Sequence, residues 1–303
     1  MASKERFDGI IPPAVTPLLE DGRLDEAGVE KLTEHMLAGG VSGLFINGTS
    51  GEAMRLPDAI WEQNTRAYLR AAQGRVPVFC GAIDTCAARV VEKIKRIEDI
   101  GGRIAVCTPP FYLRSFGQEE ILRHVSYILD HTCIELALYN IPETTHALIE
   151  PETVAKLAEY ERVVVMKDSS ADWQHLQRVL FLCEDKDIAI FNGAEELCAT
   201  AMLYGANGCI PGLANYLPRL FVSLYEASRA GRIRESYLLQ KQIYEIRKVI
   251  FVNGCWMSGM KFLNKAFGLA CDGISAGLVR LSAAQEAQAL KILADSGVET
   301  ALQ

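Results

Sequence analysis

Val163-Val164-Val165-Met166-Lys167-Asp168-Ser169-Ser170 is an apolar run of four residues that ends in a lysine and a small polar turn. Such a run reads as a strand buried on both faces, as in a parallel sheet. A lysine at its C-terminal end has two readings. Its stem can pack while its head snorkels into water. Alternatively, the head is partly desolvated, which disfavours the ammonium and lowers its pKa. A free amine then becomes available to attack a carbonyl carbon and form a Schiff base. The rest of the chain decides for the second.

Outward from this run, short apolar strands alternate with amphipathic helical stretches. The strands fall at 10–15, 43–47, 76–81, 103–107, 134–139, 163–167, 188–192 and 207–211. Helical stretches follow the first seven at 24–37, 57–72, 87–100, 118–131, 151–159, 172–183 and 195–204, and Pro57 suits a first-turn position. Residues 217–302 read as wholly helical, with breaks at Gly231 and at 268–277. Serial βα units require long right-handed crossovers and hence a parallel sheet, and eight strands close a barrel. A doubly wound open sheet would want a phosphate-binding glycine pattern after its first strand, where this chain has Thr16-Pro17-Leu18-Leu19. The expected fold is therefore an α/β (β/α)8 TIM barrel over residues 1–216. Helices of 217–303 are expected to pack on it as an extension.

Half of the 303 residues are hydrophobic, enough for one large core. The net charge of -7, without a basic block, argues against a nucleic-acid partner. No run approaches the roughly 18 apolar residues of a membrane span, and the opening Met1-Ala2-Ser3-Lys4-Glu5-Arg6 has no apolar signal core. A cytoplasmic protein without membrane partners is expected. The nine cysteines (80, 86, 107, 133, 183, 198, 209, 255, 271) contain no CxxC pair and read as free thiols of a reducing compartment. Together with the five histidines (35, 124, 131, 146, 175) they show no zinc-ligand spacing, so no metal is expected.

A barrel of this kind carries its active site at the C-terminal ends of the strands. After strand two stands Gly48-Thr49-Ser50-Gly51-Glu52, either an anion nest of backbone amides and hydroxyls or an ordinary tight turn. After strand four comes Pro109-Pro110-Phe111-Tyr112, and strand five ends in Tyr139-Asn140-Ile141-Pro142. Two tyrosines there either relay protons or sit as amphipathic rim residues. Strand seven ends in Asn192-Gly193-Ala194-Glu195-Glu196, whose paired acids face the mouth or cap the next helix.

Three of these stretches, Gly48-Thr49-Ser50-Gly51-Glu52, Tyr139-Asn140-Ile141-Pro142 and Met166-Lys167-Asp168-Ser169-Ser170, stand in an order and spacing that resembles the dihydrodipicolinate synthase / N-acetylneuraminate lyase family of pyruvate-dependent class I aldolases. The resemblance extends from Gly9 to at least Asn215. It implies a (β/α)8 barrel with C-terminal helices, usually tetrameric as a dimer of dimers. It implies no cofactor beyond a covalent imine on Lys167. By this resemblance Lys167 is the Schiff-base lysine for pyruvate or another 2-oxo acid, and Tyr139 the general acid/base. Thr49 and Tyr112 continue the proton relay, with Tyr112 reaching in from a neighbouring subunit. The stretch Leu113-Arg114-Ser115-Phe116-Gly117 is about one residue longer than usual, so Phe111 is the alternative there. Thr49, Ser50 and Gly51 hold the carboxylate. Ser169, Gly193 and Ile210 line the pyruvate pocket.

The family divides by what lies beyond pyruvate. Its synthases carry an arginine two residues after the Tyr-Asn-x-Pro proline to grip aspartate semialdehyde, and this chain has Thr144, which cannot form a bidentate clamp. Neuraminate lyases carry two adjacent acids that contact sugar hydroxyls, at the positions of Glu195 and Glu196. Gly212, more often serine in the sialic-acid lyases, leaves room for shorter sugar acids. The expected reaction is aldol cleavage or formation of a 2-oxo acid with a hydroxylated tail, giving or using pyruvate and an aldehyde. The 2-keto-3-deoxy sugar acids head the candidates, ahead of N-acetylneuraminate and aspartate semialdehyde. A keto-deoxy sugar acid dehydratase through the same imine is the alternative, and a non-enzymatic regulatory barrel the remote one. Two acids at the mouth are further expected to disfavour a substrate with a second carboxylate.

Overall fold

A computed structural model of the chain describes residues 2–113 and 117–302. Its strands are β1 (Gly9–Ile10), β2 (Leu44–Ile46), β3 (Val78–Gly81), β4 (Ile104–Cys107), β5 (Glu135–Asn140), β6 (Val163–Asp168), β7 (Ala189–Asn192) and β8 (Gly208–Cys209). A short α1 (Ser3–Arg6) precedes them. Between them run α2 (Glu26–Ala38), α3 (Asp58–Ala72), α4 (Ala87–Ile100), α5 (Gln118–His131), α6 (Pro142–Thr145), α7 (Pro151–Leu157), α8 (Trp173–Leu182) and α9 (Cys198–Leu203). Then follow α10 (Pro218–Arg229), α11 (Ile233–Arg247), α12 (Trp256–Ala266) and α13 (Ala283–Asp295).

All strand pairs are parallel, in the order β1-β8-β7-β6-β5-β4-β3-β2. The ring closes between β1 and β2 through one parallel bridge, Pro13 to Phe45. Ala14 N–H donates to the Phe45 carbonyl at 2.7 Å, and Phe45 N–H to the Pro12 carbonyl at 2.9 Å. Adjacent prolines have no N–H to give to a ladder. This is why β1 is two residues long and not the six expected, although the chain continues alongside β2. The fold is a (β/α)8 barrel.

Two hydrophobic layers result from strand alternation. Phe45, Phe79, Val106, Ala137, Val165, Phe191 and Ile210 fill the barrel interior. Leu44, Ile46, Cys80, Leu138, Met166 and Ile190 face outward against the helices. The phase is adjusted once. Leu136 pairs with Val163 but Ala137 with Val165, so β6 carries one extra residue at Val164. Beyond this bulge Met166 faces the helices, while Lys167 turns inward beside its register partner Tyr139. Phe221, Leu224, Ile243, Ile246, Met260, Leu263 and Leu293 of the last four helices belong to the same outer core as the barrel.

Helix ends follow local chemistry. The Asp25 carboxylate accepts from Gly28 N–H at 2.9 Å and starts α2 later than residue 24. Asp172 caps α8 through the N–H groups of Gln174 and His175. The stretch expected as one helix over 195–204 is a 3-10 turn, Glu195–Leu197, followed by α9. The helical reading of 217–302 gains a further break around Gly254, whose φ of +76° no helix interior accepts. The expected breaks at Gly231 and 268–277 are present.

Closure of the barrel leaves no room at Gly208. A Cβ there would stand 1.8 Å from the Gly9 carbonyl oxygen, a backbone atom. Gly208→Ala is therefore expected to destabilise the fold by about 1–3 kcal/mol or more, the usual range for overpacking. Denaturant unfolding with the midpoint compared to wild type checks this, and an unchanged midpoint would show that closure adjusts freely.

Candidate active site

Lys167 stands at the C-terminal end of β6 and is only 5% exposed. Its Nζ lies 4.2 Å from the Tyr139 ring centroid and 5.0 Å from that of Phe45. The two rings meet edge to face at 5.6 Å. Burial in this aromatic layer pushes the lysine pKa down; proximity to Tyr139 and Glu195 opposes the shift without cancelling it. The amine is therefore easier to deprotonate than a surface lysine.

The Tyr139 hydroxyl is 3.3 Å from Thr49 Oγ1, so the hydroxyls of β5 and of the loop after β2 share a hydrogen bond. That loop is held at its root. Asn47, at a φ of +51°, donates from Nδ2 to Thr65 Oγ1 at 2.8 Å and accepts from Asn64 Nδ2 at 2.7 Å. Ser50 and Gly51 are buried. Gly193 follows β7, and its N–H donates to the Asp168 carbonyl at 2.6 Å. A Cβ on Gly193 would fall 2.0 Å from Ser169 Oγ and 2.7 Å from Lys167 Cε. Only glycine lets β7 pass this close to the lysine. Ile210 is buried in the same interior layer.

Asp168 points away from Lys167 and fastens its strand. It accepts from Asn140 Nδ2 at 2.7 Å, from Ser170 Oγ at 3.0 Å, and faces His175 Nδ1 at 3.4 Å. The other ring nitrogen of His175 faces the Ile149 carbonyl at 2.9 Å. Burial opposes charge on this imidazole, yet these two acceptors hold its pKa above the usual histidine value.

Glu195 is buried and close enough to Lys167 for their charges to interact. Its Oε1 accepts from Leu213 N–H at 2.7 Å and its Oε2 lies 3.4 Å from Arg247 Nε. Burial pushes its carboxyl pKa up, offset in part by these two contacts. Glu196 Oε1 is 2.7 Å from Arg247 Nη2. The expectation of two uncompensated acids at the mouth is thus altered: one guanidinium lies against both. Arg247 comes from the end of α11 and has no local sequence signal. A Cβ on Gly212 would sit 3.6 Å from Glu195 Oε1 and 3.7 Å from Met260 Cε, in ordinary van der Waals contact with both.

The fold brings Lys167, Tyr139, Thr49, Ser169 and Gly193 together. It does not bring in Thr144, exposed on α6, or Tyr112, which is 91% exposed at a φ of +76°. Phe111 is half-buried against the interior layer. Residues 114–116 of the lengthened stretch lie outside the described residues. All nine cysteines are free; Cys80, Cys107, Cys183, Cys198 and Cys209 are buried, and burial raises the thiols of Cys80 and Cys107 to about 12.

A barrel with a desolvated lysine beside a hydrogen-bonded pair of hydroxyls at its C-terminal rim fits a lyase of the Schiff-base class. The chain belongs to the dihydrodipicolinate synthetase family, whose model matches residues 6–294. It is 30% identical over 248 residues to a 4-hydroxy-tetrahydrodipicolinate synthase of Methanopyrus kandleri, covering 81% of this chain and 82% of the relative. The dihydrodipicolinate synthase structure from Bacteroides thetaiotaomicron is similar at a TM-score of 0.91 with 33% identity, covering 95% of this chain and 98% of that one. The chloride-inhibited dihydrodipicolinate synthase of Acinetobacter baumannii, solved with pyruvate, is similar at 0.89 with 26% identity, covering 96% and 99%.

Because burial lowers the Lys167 pKa, the free amine gains population below the ordinary lysine value of 10.5. The rate of imine formation with pyruvate should rise with pH and level off at a midpoint below that value. Stopped-flow or borohydride-quench rates across pH measure it; a midpoint at 10.5 or above would mean an unperturbed amine.

Proposed function

We propose that this enzyme is a class I aldolase that cleaves or forms a 2-oxo acid with a hydroxylated tail, most closely a 2-keto-3-deoxy sugar acid aldolase. The observation that carries the chemistry is the buried Lys167 against Tyr139, whose hydroxyl bonds Thr49. Lys167 Nζ attacks C2 of the 2-oxo acid, and loss of water leaves an iminium. Tyr139, through Thr49, accepts the proton of the C4 hydroxyl. The C3–C4 bond breaks, its electron pair enters the enamine, and the aldehyde departs. Protonation of the enamine at C3 and hydrolysis release pyruvate and free the lysine. Thr49, Ser50 and Gly51 seat the substrate carboxylate, and Ser169, Gly193 and Ile210 line the pocket around the reacting carbons. No metal enters these steps, since the iminium is the electron sink.

For the tail, Glu195 and Glu196 offer acceptors to hydroxyls, and Gly212 places no side chain of its own beside Glu195. Thr144 offers no guanidinium for the carboxylate of aspartate semialdehyde. The second reading, condensation of pyruvate with that aldehyde, is favoured by the names of the relatives; in it Arg247 would have to supply the missing cation. The exposed Tyr112 completes the relay of a neighbouring subunit in a homotetramer, with Phe111 as the alternative at that position. Residues 217–303 form an extension packed on the barrel of 1–216, and the enzyme works in the cytoplasm.

Replacing Tyr139 by Phe should lower turnover roughly 10²–10⁴-fold, the usual effect of losing a positioned acid/base. Pyruvate imine formation should suffer less than C–C cleavage; steady-state turnover near wild type would remove Tyr139 from the mechanism.

The Schiff base and the substrate class are tested together. Pyruvate with borohydride should leave a mass adduct on the wild type and none on Lys167→Ala. In a screen of 2-oxo acids, with pyruvate release coupled to lactate dehydrogenase, kcat/KM for a 2-keto-3-deoxy sugar acid should exceed that for aspartate semialdehyde condensation by at least about tenfold, roughly 1.4 kcal/mol. Glu195→Gln and Glu196→Gln should erode that advantage, raising KM more than they lower kcat. Efficient condensation with aspartate semialdehyde would give the second reading.

A further inference from the structure

Lys261, on α12, is 1% exposed and lies far in sequence from the Gly48–Glu52 loop. Its Nζ is 2.6 Å from Oε1 of Glu52, the last residue of the Gly48–Glu52 loop, whose side chain is fully buried. The contact is charge-assisted, and no second partner meets either carboxylate oxygen among the described residues. Among the described residues Lys261 is thus the cation paired with this buried carboxylate. The same ammonium donates to the Thr16 carbonyl. Thr16 in turn donates from Oγ1 to the Gly51 carbonyl at 2.7 Å, and its hydroxyl accepts from Asn64 Nδ2 at 3.1 Å. One side chain from the C-terminal helices therefore grips the loop twice: through the carboxylate of Glu52, and through Thr16 on to Gly51. Glu52 holds a φ of +58°, a conformation few non-glycine residues keep unless their surroundings enforce it.

A lysine introduced only to neutralise a carboxylate would not need to bond Thr16, and a surface acid would not need neutralising. We propose that Lys261 is a positioning residue for the reaction: it fixes the Gly48–Glu52 loop so that the amides and hydroxyls of Thr49 and Ser50 face the carboxylate of the 2-oxo acid. This inference rests on the Schiff-base reading above and adds to it a residue that touches no substrate. Removing one member of a buried ion pair leaves the other uncompensated. Misplacement of a seat by about 1 Å can lower a rate on the order of a hundredfold.

The test uses the full chain and pyruvate, with half-saturation of borohydride-trappable adduct, turnover and the thermal midpoint as readouts. Lys261→Met should raise the pyruvate concentration for half-maximal adduct by roughly tenfold or more, and should lower the midpoint. Glu52→Gln alone leaves the buried Lys261 ammonium without its counter-charge and should also lower the midpoint, but it keeps the bond to Thr16 and should raise the half-saturation less than Lys261→Met does. The double variant Glu52→Gln/Lys261→Met contains no unpaired buried charge, so its midpoint should return toward wild type while its half-saturation stays raised. If Lys261→Met does not fold, the double variant carries the test by itself. Recovery of both stability and pyruvate affinity in the double variant would reduce Lys261 to charge compensation and overturn the proposal. A wild type that forms no adduct would overturn the Schiff-base reading as well, whereas adduct unaffected by all three variants overturns only the role of Lys261.

Discussion

Everything at this site depends on desolvation of one lysine. A surface ammonium keeps its proton at neutral pH and cannot attack a carbonyl. Lys167 projects into the top of a packed barrel, among Phe45 and Tyr139, where weak solvation of the charge lowers its pKa. The bulge at Val164 is the device that aims it. Without that extra residue, alternation along β6 would turn Lys167 toward the helices and Met166 toward the substrate, since a one-residue slip exchanges the faces of a strand. Gly193 then lets the neighbouring strand end pass within contact distance of the lysine stem.

Desolvation that favours a neutral amine penalises every other charge nearby. The chain answers with partners from the helices, some adjacent in sequence and some distant. Glu52 meets Lys261 of α12, and Glu195 and Glu196 share Arg247 of α11. Asp168 is held by Asn140 and His175, and Asp84 after β3 lies 2.9 Å from Lys93 of α4. Buried pairs of this kind contribute little net stability, because the desolvation of two ions offsets most of their attraction. Their effect is geometric. Each fixes a loop at the C-terminal rim, and the C-terminal helices thereby take part in shaping the mouth as well as in covering the barrel.

Much of the architecture is legible in the sequence, because it is written in local signals. Eight apolar runs separated by amphipathic stretches determine a parallel, helix-covered sheet. The turn residues after strands two, five, six and seven mark the rim. Lys167 at a strand end and Gly48-Thr49-Ser50-Gly51-Glu52 after another are local patterns, and the fold places both at the same end of the barrel because every strand runs the same way. What the sequence leaves open depends on contacts between distant residues. Pro13 reaches Phe45 to close the ring, and Val164 bulges only because β5 sets the register beside it. Lys261 meets the carbonyl of a residue 245 positions away, and Arg247 meets two acids in a separate part of the chain. An acid beside a glycine reads the same in sequence whether or not a guanidinium will cover it. The charge at the mouth was therefore decided by tertiary structure alone, since packing, and not local pattern, chooses which distant side chains share a low-dielectric site.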